Sequence, residues 1–304
     1  MIWTLAAFLA TIAVWPVVME WQRVPVAKRR TGADASLAPL SEGVTHYRWR
    51  GPEDGNVVVC IHGLTTPMIA LGAIADGLAA DGHRVLTYDL FGRGLSDRPD
   101  AHHSRGFFLT QLSQLLRDQG VDGPVTLIGY SMGGSIAAAY TAANPEQVSR
   151  LVLLAPAGIR HQPGLMARIA AGVPGLGDWL MLAFGARTLR RSARASRPAV
   201  LAVTEALERE LKTRGYLQAV LSSQRGMLAE TLEDEHRKIA SSTVAVTAIW
   251  GQADTVIPLA ARDRFIALNP GARNTVVHGA AHGLPFTHPG AVLDALRGDD
   301  GAGG

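Results

Sequence analysis

Short apolar, β-branched runs alternate with helix-like stretches through much of the chain. Strands that alternate with helical stretches of ten or more residues are typical of βαβ units, and hence of a parallel sheet covered by helices on both faces. The pattern therefore predicts an α/β fold. The predicted strands are residues 44–50, which alternate in polarity as a half-buried strand does, and the runs 56–61, 84–89, 125–130, 151–155, 243–250 and 274–278, with a helix over 259–268.

The pattern changes between residues 158 and 240, where Gly and Pro punctuate helical segments and no strand-like run occurs. We interpret this stretch as a helical cap inserted between two parts of the core, residues 44–157 and 241–297. The cap has apolar patches that can pack on the core, close over an apolar substrate or lie at a membrane surface. These patches are residues 167–171 and 179–184, and they stand near Arg187, Arg190, Arg191, Arg194 and Arg197.

The N-terminus is the most apolar part of the chain. Residues 2–19 carry no charge, and as a helix they would span about 27 Å, close to the roughly 30 Å hydrocarbon layer of a bilayer. Basic residues come only afterwards, and no convincing Ala-x-Ala cleavage site follows. Residues 1–20 are therefore predicted to be an uncleaved membrane anchor, with a signal segment or an apolar helix docked on the domain as alternatives. The basic residues are Arg23, Lys28, Arg29 and Arg30.

The basic cluster favours a cytoplasmic catalytic domain by the positive-inside tendency, and a secreted or periplasmic protein is the alternative. Residues 21–43 are rich in Pro, Ala and charge and are predicted to be a linker, and the Gly- and Asp-rich residues 298–304 a flexible tail.

Composition narrows the range of partners and cofactors. The chain has 304 residues, a formal net charge of +3 and no long run of like charges, so no nucleic-acid partner is expected. Its single cysteine, Cys60, excludes an intrachain disulfide. His102 and His103 are adjacent and outside any recognisable ligand spacing, so no metal site is expected.

The sharpest motif is Gly129-Tyr130-Ser131-Met132-Gly133, a G-x-S-x-G between an apolar strand and the small-residue helix 134–143. In that context the serine sits on a tight strand-to-helix turn, and glycine on both sides relieves the crowding. The turn lifts the hydroxyl clear of the sheet. Ser131 is therefore the candidate nucleophile, with Gly129 and Gly133 in support.

A serine hydroxyl needs a base that accepts its proton and a carboxylate that holds the base in the right tautomer. Asp254 stands just beyond a predicted strand, and His282 follows the last strand. Asp254 has the alternative of capping the next helix. His278 and His288 compete as the base, but His278 falls within the predicted strand and His288 lies beside Pro289.

The chain resembles the α/β-hydrolase superfamily, specifically its capped carboxylesterase and monoacylglycerol-lipase-like branch, over about residues 44–297. The resemblance implies a triad of Ser131, Asp254 and His282, an oxyanion hole made by the backbone N–H groups of Leu64 and Met132, and supporting roles for His62 and Gly63. The matching stretches are His62-Gly63, residues 89–99 (DLFGRGLSDRP), Gly129 to Gly134, Trp250 to Asp254, and Ala281-His282.

The resemblance implies hydrolysis of a carboxylic ester through an acyl-enzyme on Ser131, with no metal or organic cofactor. The apolar cap and anchor suggest a lipophilic small-molecule ester, such as a monoacylglycerol or a medium-chain ester. Two alternatives stay open: a C–C bond hydrolase of the meta-cleavage-product type, and a ligand-binding receptor on a hydrolase scaffold. Neither the acyl chain and alcohol of the substrate nor the oligomeric state follows from the sequence.

Overall fold

An eight-stranded sheet forms the centre of the protein. The computed structural model describes residues 1–159, 171–195 and 200–300, apart from the side chains of residues 9, 194, 195, 299 and 300. The strand order is β1-β2-β4-β3-β5-β6-β7-β8, with antiparallel β1–β2 and β2–β4 pairs and parallel pairs elsewhere. The strands are β1 (Ser36–Leu40), β2 (Gly43–Arg50), β3 (Val57–Ile61), β4 (Arg84–Tyr88), β5 (Val125–Tyr130), β6 (Val148–Leu154), β7 (Ala245–Gly251) and β8 (Arg273–Val277).

The central strands are apolar throughout because both of their faces are covered. In β3, Val59 and Ile61 belong to the hydrophobic core on one side of the sheet, and Val58 and Cys60 belong to the core on the other side. This is the period-two alternation of a strand with two buried faces.

Helices cover both faces of this sheet. Side chains of α4, α5, α10 and α11 fill the first core, and those of α3, α12 and α13 fill the second. The predicted α/β class, with a mostly parallel sheet between helices and an apolar N-terminal helix, is confirmed. The helices are α1 (Ile2–Trp21), α2 (Val26–Arg30), α3 (Gly72–Ala80), α4 (Arg105–Asp118), α5 (Met132–Ala143), α6 (Leu176–Leu180), α7 (Ala186–Ala195), α8 (Leu201–Leu211), α9 (Tyr216–Arg225), α10 (Glu233–Ala240), α11 (Ala260–Leu268), α12 (Leu284–Thr287) and α13 (Pro289–Asp300).

Every regular element that the structure describes between β6 and β7 is helical. Helices α6 to α9, with the π-helical segment Met181–Gly185, form a layer above the sheet with a small hydrophobic core of its own. Leu207 and Leu211 of α8 pack there against Leu217 and Val220 of α9. Of the predicted apolar patches, residues 179–184 lie in this layer, whereas most of 167–171 lies outside the described residues, as does Arg197.

The prediction of a linker over residues 21–43 is wrong for most of that stretch. Residues 36–40 form β1, an edge strand, where Pro39 is tolerated because an edge needs fewer backbone donors. In α2, Arg29 pairs with Glu210 at 2.7 Å and Arg30 with Asp97 at 2.8 Å. These contacts attach the segment to the domain.

The prediction of a flexible tail from residue 298 is wrong for residues 298–300, which continue α13. The carbonyl of Gly298 accepts a hydrogen bond from Arg273, and Arg297 pairs with Asp81, so this last turn is tied to the domain. Residues 301–304 lie outside the described residues.

Helix α1 has the length and composition of a membrane-spanning helix or a signal sequence. Its mean hydropathy is 2.0, and only 6% of its most apolar 18-residue window is buried. One face of its C-terminal half contacts α6 and the π-helical segment.

Candidate active site

Three loops meet at the carboxyl ends of three parallel strands, β5, β7 and β8. Ser131 follows β5, Asp254 follows β7 and His282 follows β8. Because parallel strands end at the same edge of a sheet, residues far apart along the chain come together there, as in ligand sites of open α/β sheets generally.

Ser131 occupies a strained turn. Its backbone has φ 52° and ψ −116°, a region that residues other than glycine adopt only when their surroundings enforce it. A Cβ atom at Gly129 would lie 2.4 Å from the Gly133 carbonyl oxygen, and one at Gly133 would lie 2.1 Å from that of Ile61. Both flanking glycines are therefore required by the close approach of backbone to backbone.

The three polar side chains form one chain of hydrogen bonds. His282 Nδ1 lies 2.8 Å from Asp254 Oδ2, and His282 Nε2 lies 2.9 Å from Ser131 Oγ. The Asp254 side chain is fully buried, and its Oδ1 accepts the backbone N–H groups of Val256 and Ile257, both at 2.8 Å. The prediction that these three residues converge thus agrees with the geometry.

The hydrogen-bond partners define the proton positions. An ionised carboxylate only accepts hydrogen bonds, so His282 Nδ1 carries the proton that points at Asp254. The lone pair of Nε2 is then free to accept the hydroxyl proton of Ser131. The backbone donors to Asp254 Oδ1 also explain why this carboxylate holds one orientation, beyond any role in capping the turn.

Two backbone N–H groups near Ser131 are unused. Neither the Leu64 nor the Met132 amide has an acceptor among the described residues. Met132 is also the first residue of α5, where the partial positive charge of a helix N-terminus is located. Both amides are thus suited to binding an anionic oxygen.

His62 supports this loop from beneath. Its ring is completely buried, with Nδ1 donating to the Gly63 carbonyl at 2.8 Å and Nε2 accepting from Leu90 N–H at 2.9 Å. Burial lowers the pKa of His62 to about 4, so the ring is neutral at pH 7 and both nitrogens are satisfied. A Cβ at Gly63 would lie 3.2 Å from the Tyr130 ring, which leaves little room for a larger residue.

Two further side chains hold the loop that carries Leu64. Buried Arg93 donates from Nε to the Leu64 carbonyl at 2.9 Å and from Nη2 to Ser223 Oγ of α9 at 2.9 Å. The Tyr216 hydroxyl of α9 donates to the Thr65 carbonyl at 2.8 Å. The sequence singled out neither Arg93, beyond its place in the matching stretch 89–99, nor Tyr216, because nothing in a linear pattern shows which loop a cap helix will contact.

A cavity of about 140 Å³ lies between the cap and the carboxyl edge of the sheet. His282 lines it on the core side, and residues of α7 and α8 line it on the cap side. The described lining contains no Lys, Arg, Asp or Glu, so it suits an uncharged and mainly apolar group. The lining consists of Thr65, Thr66, Tyr130, Leu189, Ser192, Ala193, Val200, Val203, Thr204, Leu207, Val256, His282, Gly283 and Phe286.

The other histidines considered as bases lie differently. His278 follows β8 directly, and His288 bonds through Nδ1 to its neighbour Thr287 at 2.8 Å. Among the described residues, no group of three or more His, Cys, Asp or Glu side chains is arranged to hold a metal ion.

A second His–Asp pair lies near the same edge, where β2 meets β4. His46 Nδ1 is 2.6 Å from Asp89 Oδ2, and both residues are buried. Asp89 also accepts the backbone N–H groups of Met68 and Leu95, each at 2.9 Å. Burial raises the pKa of Asp89, but its interaction with His46, together with smaller contributions that include the Met68 N–H, holds the pKa below its usual range.

The sequence and the fold can be compared with known proteins. The family model described as the α/β hydrolase fold matches residues 56–289. Esterase YbfF of Escherichia coli (strain K12) is 25% identical over 246 residues, which cover 79% of this chain and 91% of that protein. The 2-hydroxy-6-oxononadienedioate/2-hydroxy-6-oxononatrienedioate hydrolase of Cupriavidus pinatubonensis is 26% identical over 272 residues, which cover 84% of this chain and 93% of that protein.

Among solved structures, a membrane phospholipase A described as a bacterial virulence factor is similar in fold. It is 21% identical, with a TM-score of 0.71, and the match covers 98% of this chain and 95% of that one. A match of 98% is too extensive to leave out a helix of 20 residues, so the likeness in fold includes most of α1.

Proposed function

Because the chain belongs to the α/β-hydrolase family, we propose that it is a serine hydrolase that cleaves carboxylic esters through an acyl-enzyme on Ser131. The observation that carries the proposal is the hydrogen-bonded series Asp254, His282, Ser131, whose central residue, His282, lines a cavity. The similarity to an esterase agrees with this chemistry.

The geometry suggests a role for each group in forming the acyl-enzyme. His282 Nε2 takes the hydroxyl proton as Ser131 Oγ bonds to the carbonyl carbon, and the imidazolium is stabilised by Asp254. The Leu64 and Met132 amides hold the oxyanion, each such donor being worth about 3 to 4 kcal/mol in other enzymes. The oxyanion collapses, the alcohol leaves with the proton from Nε2, and the acyl group stays on Oγ.

Water then releases the acyl group by the same steps. His282 Nε2 accepts a proton from water, the hydroxide bonds to the acyl carbon, and collapse returns Ser131 Oγ to its protonated state while the carboxylic acid leaves. Oγ, Nε2 and the two amides are reused, and Tyr216 and Arg93 keep the loop of Leu64 in place.

The cavity suggests a lipophilic acyl group of limited length. Its described lining combines apolar cap residues such as Leu189 and Leu207 with Phe286 of the core. We expect kcat/KM for p-nitrophenyl esters to rise from acetate to a medium-chain ester and then to fall as the chain outgrows the cavity. A preference for acetate over octanoate would contradict the lipophilic assignment but leave ester hydrolysis intact.

Hydrolysis of a C–C bond is the second candidate, because one relative is a hydrolase of a dienedioate. A dienedioate is an anion and needs cationic partners, and the described cavity lining has none. We therefore expect turnover of p-nitrophenyl octanoate and no turnover of a ring-fission dienoate. The reverse result would select the C–C reaction.

We further propose that α1 is an uncleaved anchor and that the catalytic domain lies on the cytoplasmic side. A signal segment would be removed, yet α1 is bound to the folded domain: Glu20 accepts the Gly215 N–H at 2.6 Å, and Arg214 donates to the Trp21 carbonyl. The measurement is N-terminal sequencing of the membrane fraction. A mature chain that begins after residue 21 would contradict the anchor.

A further inference from the structure

We propose that cap residues 173–185 lie in the interfacial layer of a phospholipid bilayer beside α1, with Arg187 and Arg191 against anionic lipid headgroups. The proposal rests on the membrane attachment proposed above and adds a second contact with the same membrane. It gives the candidate active site a fixed position relative to the lipid.

The cap contacts α1 along its apolar part as well as at its end. Ala13, Pro16 and Glu20 lie on one face of α1 by their helical spacing, and Pro16 and Glu20 are the buried members of its C-terminal half. Trp179 Nε1 of α6 donates to the Ala13 carbonyl at 3.1 Å. The cap therefore runs alongside the apolar helix and contacts more than its end.

The level of the membrane surface follows from charge. Glu20 has the first ionisable side chain of the sequence, and it pairs with Arg23 at 3.2 Å. The hydrocarbon layer therefore begins on the N-terminal side of Glu20. Ala13 lies seven residues further in, about 10 Å along the helix axis, and about 8 Å below Glu20 even at a tilt of about 40°. Interfacial amphipathic segments are buried about 5 to 10 Å, which agrees with this depth.

The side chains of this cap segment suit that environment. Val173, Leu176 and Phe184 are 45%, 53% and 49% exposed, and the Trp179 ring packs edge-on against Phe184. Asp178, the only charged residue in the segment, pairs with Arg225 of α9 at 2.8 Å. A cluster of large exposed apolar side chains on a folded domain indicates an interaction surface.

The adjacent helix supplies positive charge where headgroups would lie. Arg187 and Arg191 of α7 are exposed, whereas Arg190 pairs with Glu208 of α8 at 2.8 Å. Helix α7 contains no acidic residue, so anionic lipid headgroups near the bilayer surface would attract its exposed arginines. The same helix lines the cavity through Leu189 and Ala193, so it joins the proposed membrane contact to the cavity that His282 borders.

Depth-dependent quenching tests the contact without reference to activity. The full chain with Leu176→Cys or Phe184→Cys is labelled with an environment-sensitive fluorophore and reconstituted into bilayers of phosphatidylcholine and phosphatidylglycerol. Cys60 will not compete, because it is buried and burial raises its pKa to about 12. Asp122→Cys is the control, since this exposed residue precedes β5 at the opposite edge of the sheet.

We expect brominated lipids to quench the fluorophore at both cap positions and to leave position 122 unchanged. Equal fluorescence at all three positions with and without bromine would overturn the proposal. Hydrolysis of a water-soluble ester by the same samples reports on the proposed function separately, so a failure of one does not resemble a failure of the other.

A second measurement compares two substrates. Phe184→Asp should lower hydrolysis of an ester presented in the bilayer about tenfold and leave hydrolysis of soluble p-nitrophenyl butyrate unchanged. Arg187→Gln with Arg191→Gln should remove most of the rate advantage of bilayers that contain phosphatidylglycerol over pure phosphatidylcholine. Equal rates on bilayer ester for wild type and Phe184→Asp would contradict insertion of the segment.

Discussion

The described part of the structure contains two His–Asp pairs with almost the same Nδ1–carboxylate distance and with different surroundings. In one, His282 Nδ1 meets Asp254 at 2.8 Å, and in the other, His46 Nδ1 meets Asp89 at 2.6 Å. His282 directs its second ring nitrogen to Ser131 beside a cavity. In the other pair, the carboxylate of Asp89 also accepts the backbone N–H groups of Met68 and Leu95, which lie in two different loops.

The difference shows that a histidine held by a carboxylate is not by itself a catalytic unit. The pair at β7 and β8 has a nucleophile within hydrogen-bonding distance, so its proton can move to a reacting group. The pair at β2 and β4 ties together segments near Met68 and Leu95, so its loss should cost stability more than rate.

The largest effect is expected at Ser131. Ser131→Ala removes the nucleophile, and we expect kcat for p-nitrophenyl octanoate to fall by about 10⁶-fold. The melting temperature should not fall, because the change removes only the Oγ atom and leaves the backbone of the turn as it is. Retention of even a hundredth of the activity would place the chemistry elsewhere.

Asp254→Asn should come next. An amide at position 254 can keep the backbone hydrogen bonds of Oδ1, but its NH₂ group faces His282 Nδ1 and favours the tautomer with the proton on Nε2. We expect kcat to fall about 10⁴-fold with little change in the free energy of unfolding. Steady-state kinetics and urea unfolding measure the two quantities on the same preparation.

Asp89→Asn should show the opposite result. Removing one charge of a buried pair costs about 3 to 5 kcal/mol of unfolding free energy, and the folded fraction should retain kcat within about tenfold. If folded Asp89→Asn lost as much activity as Asp254→Asn, the result would contradict a structural role for the His46–Asp89 pair.

His236 differs from both paired histidines, because neither of its ring nitrogens has a hydrogen-bond partner in the described structure. Its ring packs edge-on against Phe265. Burial lowers its pKa to about 4. A folded pKa below the unfolded value of about 6.5 gives stability that is present above pH 6.5 and is lost as the pH falls toward 4.

His236→Leu should therefore weaken the acid sensitivity of folding. We expect the variant to gain about 2 kcal/mol on the wild type between pH 7.5 and pH 4.5, measured by urea unfolding at both values. A gain that is independent of pH would point to packing as its cause.

The smallest effect is expected at Tyr216. Tyr216→Phe removes only the hydrogen bond to the Thr65 carbonyl, so the loop of Leu64 should hold its oxyanion donor less well. We expect kcat to fall about tenfold with KM nearly unchanged. Tyr140→Phe is the matched control, because its hydroxyl bonds Gln147 at 2.5 Å, away from the cavity.

Sequence patterns predicted β3 to β8 to within a few residues. For β3 to β7 the reason is that strands covered on both faces must be mostly apolar. Strand β1 was missed because its sequence, Ser-Leu-Ala-Pro-Leu, contains a proline and is short, features that only an edge position allows. The pattern thus shows burial well and edge pairing poorly.

The candidate site divides in the same way. Ser131, Asp254 and His282 follow from motifs, since each must occupy a particular turn after a particular strand. The role of Tyr216 depends on how the cap docks, which no local pattern encodes, whereas the buried position of Glu210 could have been predicted. For Glu210 a signal existed: its spacing from Val203 and Leu207 places it on the apolar face of α8.

A serine-directed probe identifies the nucleophile through the residue that it modifies. The protein is treated with a fluorophosphonate, and its mass and modified peptide are determined by mass spectrometry. We expect a single adduct on Ser131 that forms much more slowly in Asp254→Asn and at a near-normal rate in folded Asp89→Asn. An adduct on another serine, or none on the active wild-type protein, would contradict it.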